Sequence, residues 1–342
     1  MKLQNYIVFL HKNKKHFIRM EIKTKRNTNI ELLRFVLMIA ICIWHTMVHG
    51  FDFKNMSTMN IPQIQHLIMM VICVPAVDTF MFISGYYGIR FSYDKLLKLI
   101  IQAILISNII ILVRLPFGGS LSFYDQLLPI SSGLTWWFLS AYAVIMVLSP
   151  ILNAGIKTIE SKTFRNILIF LFFVFSIVKY RLDGGGYNLI TLLLIYLLGR
   201  YCNKTQLVLS RKLSIIIWAF SFSFLLLIMT YHLYYENVHS IWILLSYNNP
   251  VIILMAVSIF YFSLSFQLNQ KKWIAFLGNH SLSIYLVSEM IGIALYNTWK
   301  NLYINNTLIF ITSIFVFALS CEFFDIPIQA LNSWIRKKIV RT

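Results

Sequence analysis

The fold of this chain is decided by the stretch Ile30-Glu-Leu-Leu-Arg34-Phe-Val-Leu-Met-Ile-Ala-Ile-Cys-Ile-Trp-His45. Its residues after Arg34 are almost continuously apolar, and a helix needs about 20 such residues to cross the hydrocarbon core of a bilayer. An arginine and a histidine inside such a segment are costly to place in lipid, so they indicate a functional site by default. The segment therefore predicts a membrane helix that carries part of that site.

Arg34 and His45 also lie on one face of the predicted helix. Eleven steps of about 100° end about 20° from the starting direction and about 16 Å further along the axis. The spacing thus predicts a cation and an ionisable ring aligned along one wall of a cavity.

The apolar character of this stretch recurs along the whole chain. Of its 342 residues, 58% are hydrophobic and 12% are charged, which excludes an ordinary soluble domain. We predict an all-α polytopic membrane protein with about ten transmembrane helices. The ten apolar segments lie at 30–50, 66–87, 96–114, 134–153, 166–178, 188–200, 213–231, 250–267, 274–295 and 307–328.

The net charge of +18 follows the pattern of a membrane protein rather than that of a nucleic-acid-binding protein. If the N-terminus is cytoplasmic, 24 of the 30 Lys and Arg residues lie in cytoplasmic segments, as the positive-inside rule requires. This alternation predicts that both ends are cytoplasmic and that the basic ends contact membrane lipid, with no role for nucleic acid. The predicted parts are a basic N-terminal segment, a membrane domain and a basic tail, at 1–29, 30–328 and 329–342.

Residues 1–26 lack the short apolar core of a cleavable signal, so the first span is expected to remain as an anchor. The four cysteines are scattered and form no Cys-x-x-Cys pair, so neither disulfides nor a cysteine metal site is expected.

Arg34 has two interpretations. Glu31 lies three residues earlier on the same helix and is able to pair with it, which makes Arg34 a neutralised helix end. Alternatively, Arg34 faces a ligand inside the membrane domain.

His45 also has more than one interpretation. A histidine in a helix bundle often only hydrogen-bonds a neighbour. His49, four residues later, forms a two-histidine pair for which no third ligand is set by spacing, so no metal site is expected. A general base needs an acid that orients its ring, and Asp52 and Asp78 are the candidates.

Other polar residues stand in or beside apolar segments. Ser84-Gly85, which follows Asp78 in the second span, allows close approach of a second helix or of a ligand. Lys95 and Lys98 begin the third span, where they either anchor the cytoplasmic end or bind phosphates of a cytoplasmic donor.

Taken in order, these residues resemble the acyltransferase-3 family of bacterial membrane acyltransferases, which O-acylate carbohydrates and other acceptors. The hallmark of that family is an arginine and a histidine separated by ten residues in the first span, as in Arg34 and His45. Four further stretches resemble the family in the right order: Val77-Asp-Thr-Phe-Met-Phe-Ile-Ser84-Gly85-Tyr86, Trp137-Phe-Leu with Pro150-Ile-Leu-Asn153, Leu277-Gly-Asn-His-Ser281-Leu-Ser-Ile-Tyr285-Leu-Val, and Glu322-Phe-Phe-Asp-Ile-Pro327.

The chain departs from the family pattern at two places. Lys95-Leu-Leu-Lys98 stands where Arg-x-x-Arg is common, which keeps the charge but loses the bidentate fork of arginine. Ser288-Glu289 stands where many members have a histidine after the late Tyr-Leu, so only Glu289, an intramembrane carboxylate, is available there.

The resemblance implies transfer of an acyl group, most simply acetyl, from cytoplasmic acyl-CoA to a hydroxyl of a cell-surface, capsular or exopolysaccharide sugar. It implies His45 and Arg34 as catalytic residues, Lys95 and Lys98 as donor-binding residues, and no permanently bound cofactor or metal. Supporting roles for substrate or structure fall to Asp78, Ser84, Gly85, Trp137, Tyr285, Glu289 and Glu322.

The resemblance also implies a multi-pass protein of a bacterial plasma membrane that works beside polysaccharide-assembly proteins. Some relatives carry an extracytoplasmic hydrolase-like domain after the last span. Here 14 residues follow residue 328, so we expect direct transfer or a separate protein for that step.

Two other function classes compete with this one. A transporter or flippase for a polysaccharide or lipid-linked sugar also has many spans and buried charges, but the internal repeat of many transporters is absent. A glycan polymerase or ligase typically has larger outer loops.

Overall fold

The computed structural model describes residues 27–51, 61–114, 136–178, 186–235 and 238–340. Within these ranges the chain forms helices and no strand, so the predicted all-α polytopic membrane fold is confirmed. The α-helices are α1 Thr28–His45, α2 Ile61–Cys73, α3 Ala76–Tyr87, α4 Tyr93–Arg114, α5 Trp137–Thr158, α6 Ser161–Phe172, α7 Leu189–Lys204, α8 Arg211–Tyr234, α9 Val238–Leu244, α10 Pro250–Leu264, α11 Lys272–Ile291, α12 Ile293–Asn305 and α13 Thr307–Val340. Two π-helical turns, Thr46–Gly50 and Phe173–Ile177, extend α1 and α6.

The described parts of the ten predicted apolar segments are mainly helical, and segments 66–87 and 274–295 each run over two helices. Six helical stretches among the described residues are long and apolar enough to cross a membrane: Thr28–Gly50, Ile64–Tyr87, Tyr93–Val113, Trp137–Thr158, Arg211–Tyr234 and Thr307–Ile339. The other four segments lie on helices that are shorter or less apolar, so the figure of ten crossings and the cytoplasmic location of both ends stay predictions.

Local sequence sets the ends of several helices. The side chain of Asn27 accepts a hydrogen bond from the backbone of Asn29 and caps α1, and Asn188, Ser210 and Asn249 cap later helices in the same way. Pro75 separates α2 from α3, because proline donates no backbone hydrogen bond and restricts the residue before it.

Helix α1 lies at the centre of the bundle. It packs against α2, α3, α10, α11 and α13, and most of its side chains are buried. The predicted site residues of the first span therefore lie inside the protein and not on a lipid-facing surface.

Helices α3 and α7 touch through their backbones. A Cβ atom added to Gly199 would lie 2.6 Å from the carbonyl oxygen of Phe82 and 2.7 Å from the backbone nitrogen of Tyr86. A Cβ atom added to Gly85 would overlap the backbone of Tyr196. Of the two alternatives for Ser84-Gly85, the glycine thus serves close helix packing.

Replacing Gly85 with alanine should destabilise the protein, because the new methyl group forces α3 and α7 apart. Overpacking of this kind costs about 1–3 kcal/mol. Thermal unfolding of the purified protein in detergent measures the effect. Gly155→Ala on α5 is the matched control, since no neighbouring atom in the described part of the chain lies within 4 Å of its added methyl group. Equal melting temperatures for the two variants contradict the packing role.

Candidate active site

His45 lies at the last residue of α1, where the helix widens into the π-helical turn Thr46–Gly50. Such π-helical insertions are rare and occur frequently at functional sites. The hydroxyl of Thr46 donates to the carbonyl oxygen of Cys42, one turn earlier, at 2.9 Å. His45 therefore lies at the junction of the α-helix and the π-helical turn, near the end of the span.

The acid that faces His45 is Glu289 of α11. Its Oε1 lies 2.7 Å from Nδ1 of His45, and the two side chains are 12% and 19% exposed. Of the two acids proposed from the sequence, Asp78 faces a different group of side chains, and Asp52 lies outside the described residues. The signal that was available in the sequence was the rarity of a carboxylate inside an apolar segment.

Tyr296 of α12 completes this group. Its hydroxyl lies 3.2 Å from Nδ1 of His45 and 3.4 Å from Oε1 of Glu289, and it donates to the carbonyl oxygen of Ser288 at 3.3 Å. The ring of His49 stacks on that of Tyr296, with centroids 5.8 Å apart. No pattern in the sequence indicated Tyr296, because its role depends on how α12 folds back against α1.

The geometry defines what His45 is able to do. When the carboxylate of Glu289 accepts the proton on Nδ1, Nε2 carries the free lone pair of the imidazole. An acid in this position fixes the tautomer and stabilises the imidazolium that forms after proton uptake. The pair is therefore suited to general-base chemistry.

Arg34 lies on the same helix, about 16 Å nearer its start by helix geometry. Its Nη1 lies 3.5 Å from Oε1 of Glu31, so the predicted i, i+3 pair is present. Its Nε is buried and has no hydrogen-bond partner in the described part of the chain, and 30% of its side chain is exposed. The Arg34 guanidinium also lies 6.0 Å from the ring of Phe80 on α3. The pairing with Glu31 is thus real but leaves part of the guanidinium free to bind a ligand.

Asp78 is fully buried on α3, and neither of its carboxylate oxygens has a hydrogen-bond partner among the described residues. It lies within electrostatic reach of Tyr187 and Tyr247. The ring of Trp137 stacks on Tyr247, with centroids 5.7 Å apart, and Tyr187 lies 4.6 Å from Tyr247. Three segments distant in sequence thus bring aromatic rings beside this carboxylate.

Tyr285 of α11 lies between Asp78's aromatic group and the His45 pair. Its ring is 6.2 Å from that of Phe138, the residue after Trp137, and it is within electrostatic reach of Glu289. Asp78, Trp137 and Tyr285, which were predicted separately from the sequence, therefore lie in one region of the protein.

Lys95 and Lys98 stand apart from Arg34. They lie at the start of α4, which packs against α11 and α13, whereas Arg34 faces α3. Lys95 is exposed, and the backbone carbonyl of Lys98 accepts a hydrogen bond from Asn332 of α13 at 2.7 Å. The structure does not bring the two lysines to the side of α1 on which Arg34 lies.

A second polar group, which the sequence did not indicate, joins α4, α11 and α13. Asp325 accepts from Gln102 at 2.7 Å and from Gln329 at 3.1 Å, and its Oδ2 lies 2.7 Å from Nδ1 of His280. Glu322, one turn away on α13, is fully buried and has no hydrogen-bond partner in the described ranges. Of these two neighbouring acids, Asp325 holds helices together and Glu322 does not.

No group of three histidine, cysteine or acidic side chains among the described residues is arranged to bind a metal ion. All four cysteines are buried free thiols.

The helical fold defines a multi-pass membrane protein, and its partly buried histidine–carboxylate pair has the geometry that acid–base chemistry requires. The model of the acyltransferase-3 family, described as an acyltransferase domain, matches residues 27–324. The chain belongs to this family and is therefore a membrane acyltransferase, which transfers groups other than aminoacyl groups. No curated protein and no solved structure matches the chain significantly.

Asp325→Ala should lower the thermal stability more than Glu322→Ala does, although both carboxylates are fully buried on the same helix. Loss of Asp325 leaves the buried Gln102 and the half-buried His280 and Gln329 without this partner. Breaking a buried ion pair costs about 3–5 kcal/mol. Thermal unfolding in detergent compares the two variants. An equal or greater loss for Glu322→Ala contradicts the bracing role of Asp325.

Proposed function

We propose that this acyltransferase moves an acetyl group from cytoplasmic acetyl-CoA to a hydroxyl of a cell-surface, capsular or exopolysaccharide sugar, in the plasma membrane of a bacterium. The observation that carries the proposal is the 2.7 Å contact between His45 and Glu289 within a chain of this family. A sugar hydroxyl is a weak nucleophile, so its attack requires a positioned general base.

His45 is the base in the proposed reaction. Its Nε2 takes the proton of the sugar hydroxyl while the sugar oxygen attacks the thioester carbonyl carbon. The C–S bond then breaks, and the departing thiolate of coenzyme A receives the proton, so the products are an O-acyl sugar and free coenzyme A. Glu289 keeps the imidazole in the required tautomer and stabilises its protonated form.

The positions of Arg34 and His45 suit a donor and an acceptor that arrive from opposite sides. Arg34 lies near the predicted cytoplasmic end, where it attracts the donor phosphates, and His45 lies about 16 Å further along α1. An extended donor bound near Arg34 would thus present its thioester deeper in the membrane domain.

The aromatic group beside Asp78 is the proposed binding region for the acceptor. Rings such as that of Trp137 offer flat apolar faces for the C–H face of a sugar, and an unpaired carboxylate is a strong acceptor for its hydroxyls. Tyr285 connects this region with Glu289. An acceptor bound there would lie next to the base.

His45→Ala should abolish acyl transfer, because no other group in the proposal removes the proton of the hydroxyl. Glu289→Gln keeps the shape of the side chain but removes its charge, and should lower the rate by about 100-fold. The measurement is transfer of label from acetyl-CoA to glycan in membranes that contain equal amounts of each variant.

His239→Ala, which changes an exposed histidine on α9, is the matched control and should transfer at the wild-type rate. Wild-type transfer by His45→Ala would exclude the proposed role of His45. Movement of glycan across the membrane without chemical change would instead indicate a transporter.

Lys95 and Lys98 are proposed to attract the anionic donor to the predicted cytoplasmic end, even though they lie apart from Arg34. Lys95→Gln with Lys98→Gln should raise the KM for acetyl-CoA and leave kcat nearly unchanged. The effect should fade with added salt, since the screening length falls from about 30 Å at 0.01 M to about 8 Å at 0.15 M.

Steady-state kinetics at two salt concentrations provide the measurement. The double variant Lys271→Gln with Lys272→Gln is the control, because it removes the same charge from an exposed lysine pair at the same predicted end. Equal shifts in KM for the two double variants would indicate a general effect of charge and would contradict a specific role of Lys95 and Lys98 in attracting the donor.

A further inference from the structure

Arg200 of α7 is a partly buried cation that the reaction described above does not use. No acidic side chain in the described ranges forms an ion pair with it, and its Nε is buried without a hydrogen-bond partner among those residues. An uncompensated charge inside a protein is costly, so such a group normally has a counterion when the protein is at work. From the sequence, Arg200 was only one of the 24 basic residues assigned to cytoplasmic segments.

Arg200 and Arg34 both lie against α3. Gly88, which ends α3 with a φ of 76°, would bring an added Cβ atom to 2.7 Å from Nη1 of Arg200. Arg34 reaches α3 from α1. Its guanidinium lies 6.0 Å from the ring of Phe80, and it is within electrostatic reach of Tyr87, the residue before Gly88. Attraction to the negative end of α3 accounts for a cation at this place, but it leaves both buried Nε atoms without partners.

Polar side chains occupy the space between the two arginines. Tyr142 of α5 lies within electrostatic reach of Arg34 and faces the hydroxyl of Ser84. Tyr196 of α7 lies within reach of both Tyr142 and Arg200. A continuous series of hydroxyl and guanidinium groups therefore runs from α1 to α7 inside an otherwise apolar bundle.

Asn153 holds this series in place. Its side-chain oxygen accepts from the Tyr196 hydroxyl at 2.9 Å, and its side-chain nitrogen donates to the carbonyl oxygen of Ile89 at 2.8 Å. The segment after α3 is thereby tied to α5 and α7. These hydrogen bonds join the helices that carry and surround the arginines, as a preorganised binding site for an extended anion requires.

We propose that Arg34 and Arg200 form one phosphate-binding site at the predicted cytoplasmic end of the bundle, and that its ligand is the nucleotide part of the acyl donor. This inference rests on the proposed function. Guanidinium groups bind phosphate oxygens through two parallel hydrogen bonds, which would satisfy the buried Nε atoms. The remaining distance of about 16 Å from Arg34 to His45 is then spanned by the acyl-bearing arm of the donor.

The test uses the full-length protein in nanodiscs of phosphatidylcholine, with adenosine 3′,5′-bisphosphate as the probe in a calorimetric titration. Arg200→Gln and Arg34→Gln should each weaken binding about tenfold or more, the loss expected for one charge-assisted pair of hydrogen bonds. Arg200→Lys keeps the positive charge but loses the two parallel hydrogen bonds of arginine. Its affinity for the bisphosphate should lie between that of the wild type and that of Arg200→Gln. Arg165→Gln, which changes an exposed arginine on α6 at the same predicted end, should bind as the wild type does.

Equal binding by Arg200→Gln and Arg165→Gln would overturn the proposal. If Arg200→Gln does not fold, Arg200→Lys decides in its place, and unchanged affinity in that variant also overturns it. A third arm adds phosphatidylglycerol to the nanodiscs. If the bisphosphate fails to bind the wild type while retention of phosphatidylglycerol depends on Arg200, the site binds a lipid phosphate and the donor assignment is overturned.

These failures are distinguishable from failure of the proposed function. If His45→Ala loses acyl transfer while Arg200→Gln binds the bisphosphate normally, the proposed reaction is supported and only the phosphate site at Arg200 is rejected. If His45→Ala transfers the acyl group normally while Arg200→Gln binds the bisphosphate weakly, the phosphate site is supported and the proposed role of His45 is rejected.

Discussion

The contact between α1 and α11 is the interaction on which the rest of the site depends. Near its start, α1 brings Glu31 against Gly278, where an added Cβ atom would overlap the Glu31 side chain. At its end, α1 brings His45 to within 2.7 Å of Glu289. The two helices therefore run side by side in the same direction, and the close approach at Gly278 sets the register that pairs the histidine with its acid.

The bilayer explains why this contact has such consequences. Inside hydrocarbon, a polar group has no water to bond and must find its partner within the protein. Glu289 and Tyr296 supply partners for His45, and Asp325 supplies them for His280 and Gln102. Asp78 and the Nε atoms of Arg34 and Arg200 have no hydrogen-bond partner among the described residues, and they are groups that a ligand would satisfy.

Helix α3 divides these unsatisfied groups into two regions. Asp78 lies at its start, beside aromatic rings from segments that precede α7 and α10 and from α5. The other end of α3 has Arg200 beside Gly88 and Arg34 within electrostatic reach of Tyr87, and it is held against α7 by the glycine contact at Gly85 and Gly199. One helix thus separates the region proposed for the acceptor from the region proposed for the donor.

The class of the fold, and the alignment of Arg34 and His45 along one face of a helix, could be predicted from the sequence. Apolar segments long enough to cross a bilayer can be recognised locally, and the eleven-residue spacing of Arg34 and His45 follows from the helical repeat alone. Asp52 and Asp78 were the acids expected from the sequence to face His45, whereas the packing of α1 against α11 places Glu289 there. Tyr296, which is 251 residues from His45, and Arg200 beside Gly88 were likewise beyond the sequence. Helical periodicity relates residues within one helix, whereas the partners of a buried polar group depend on the packing and register of separate helices, which no local pattern encodes.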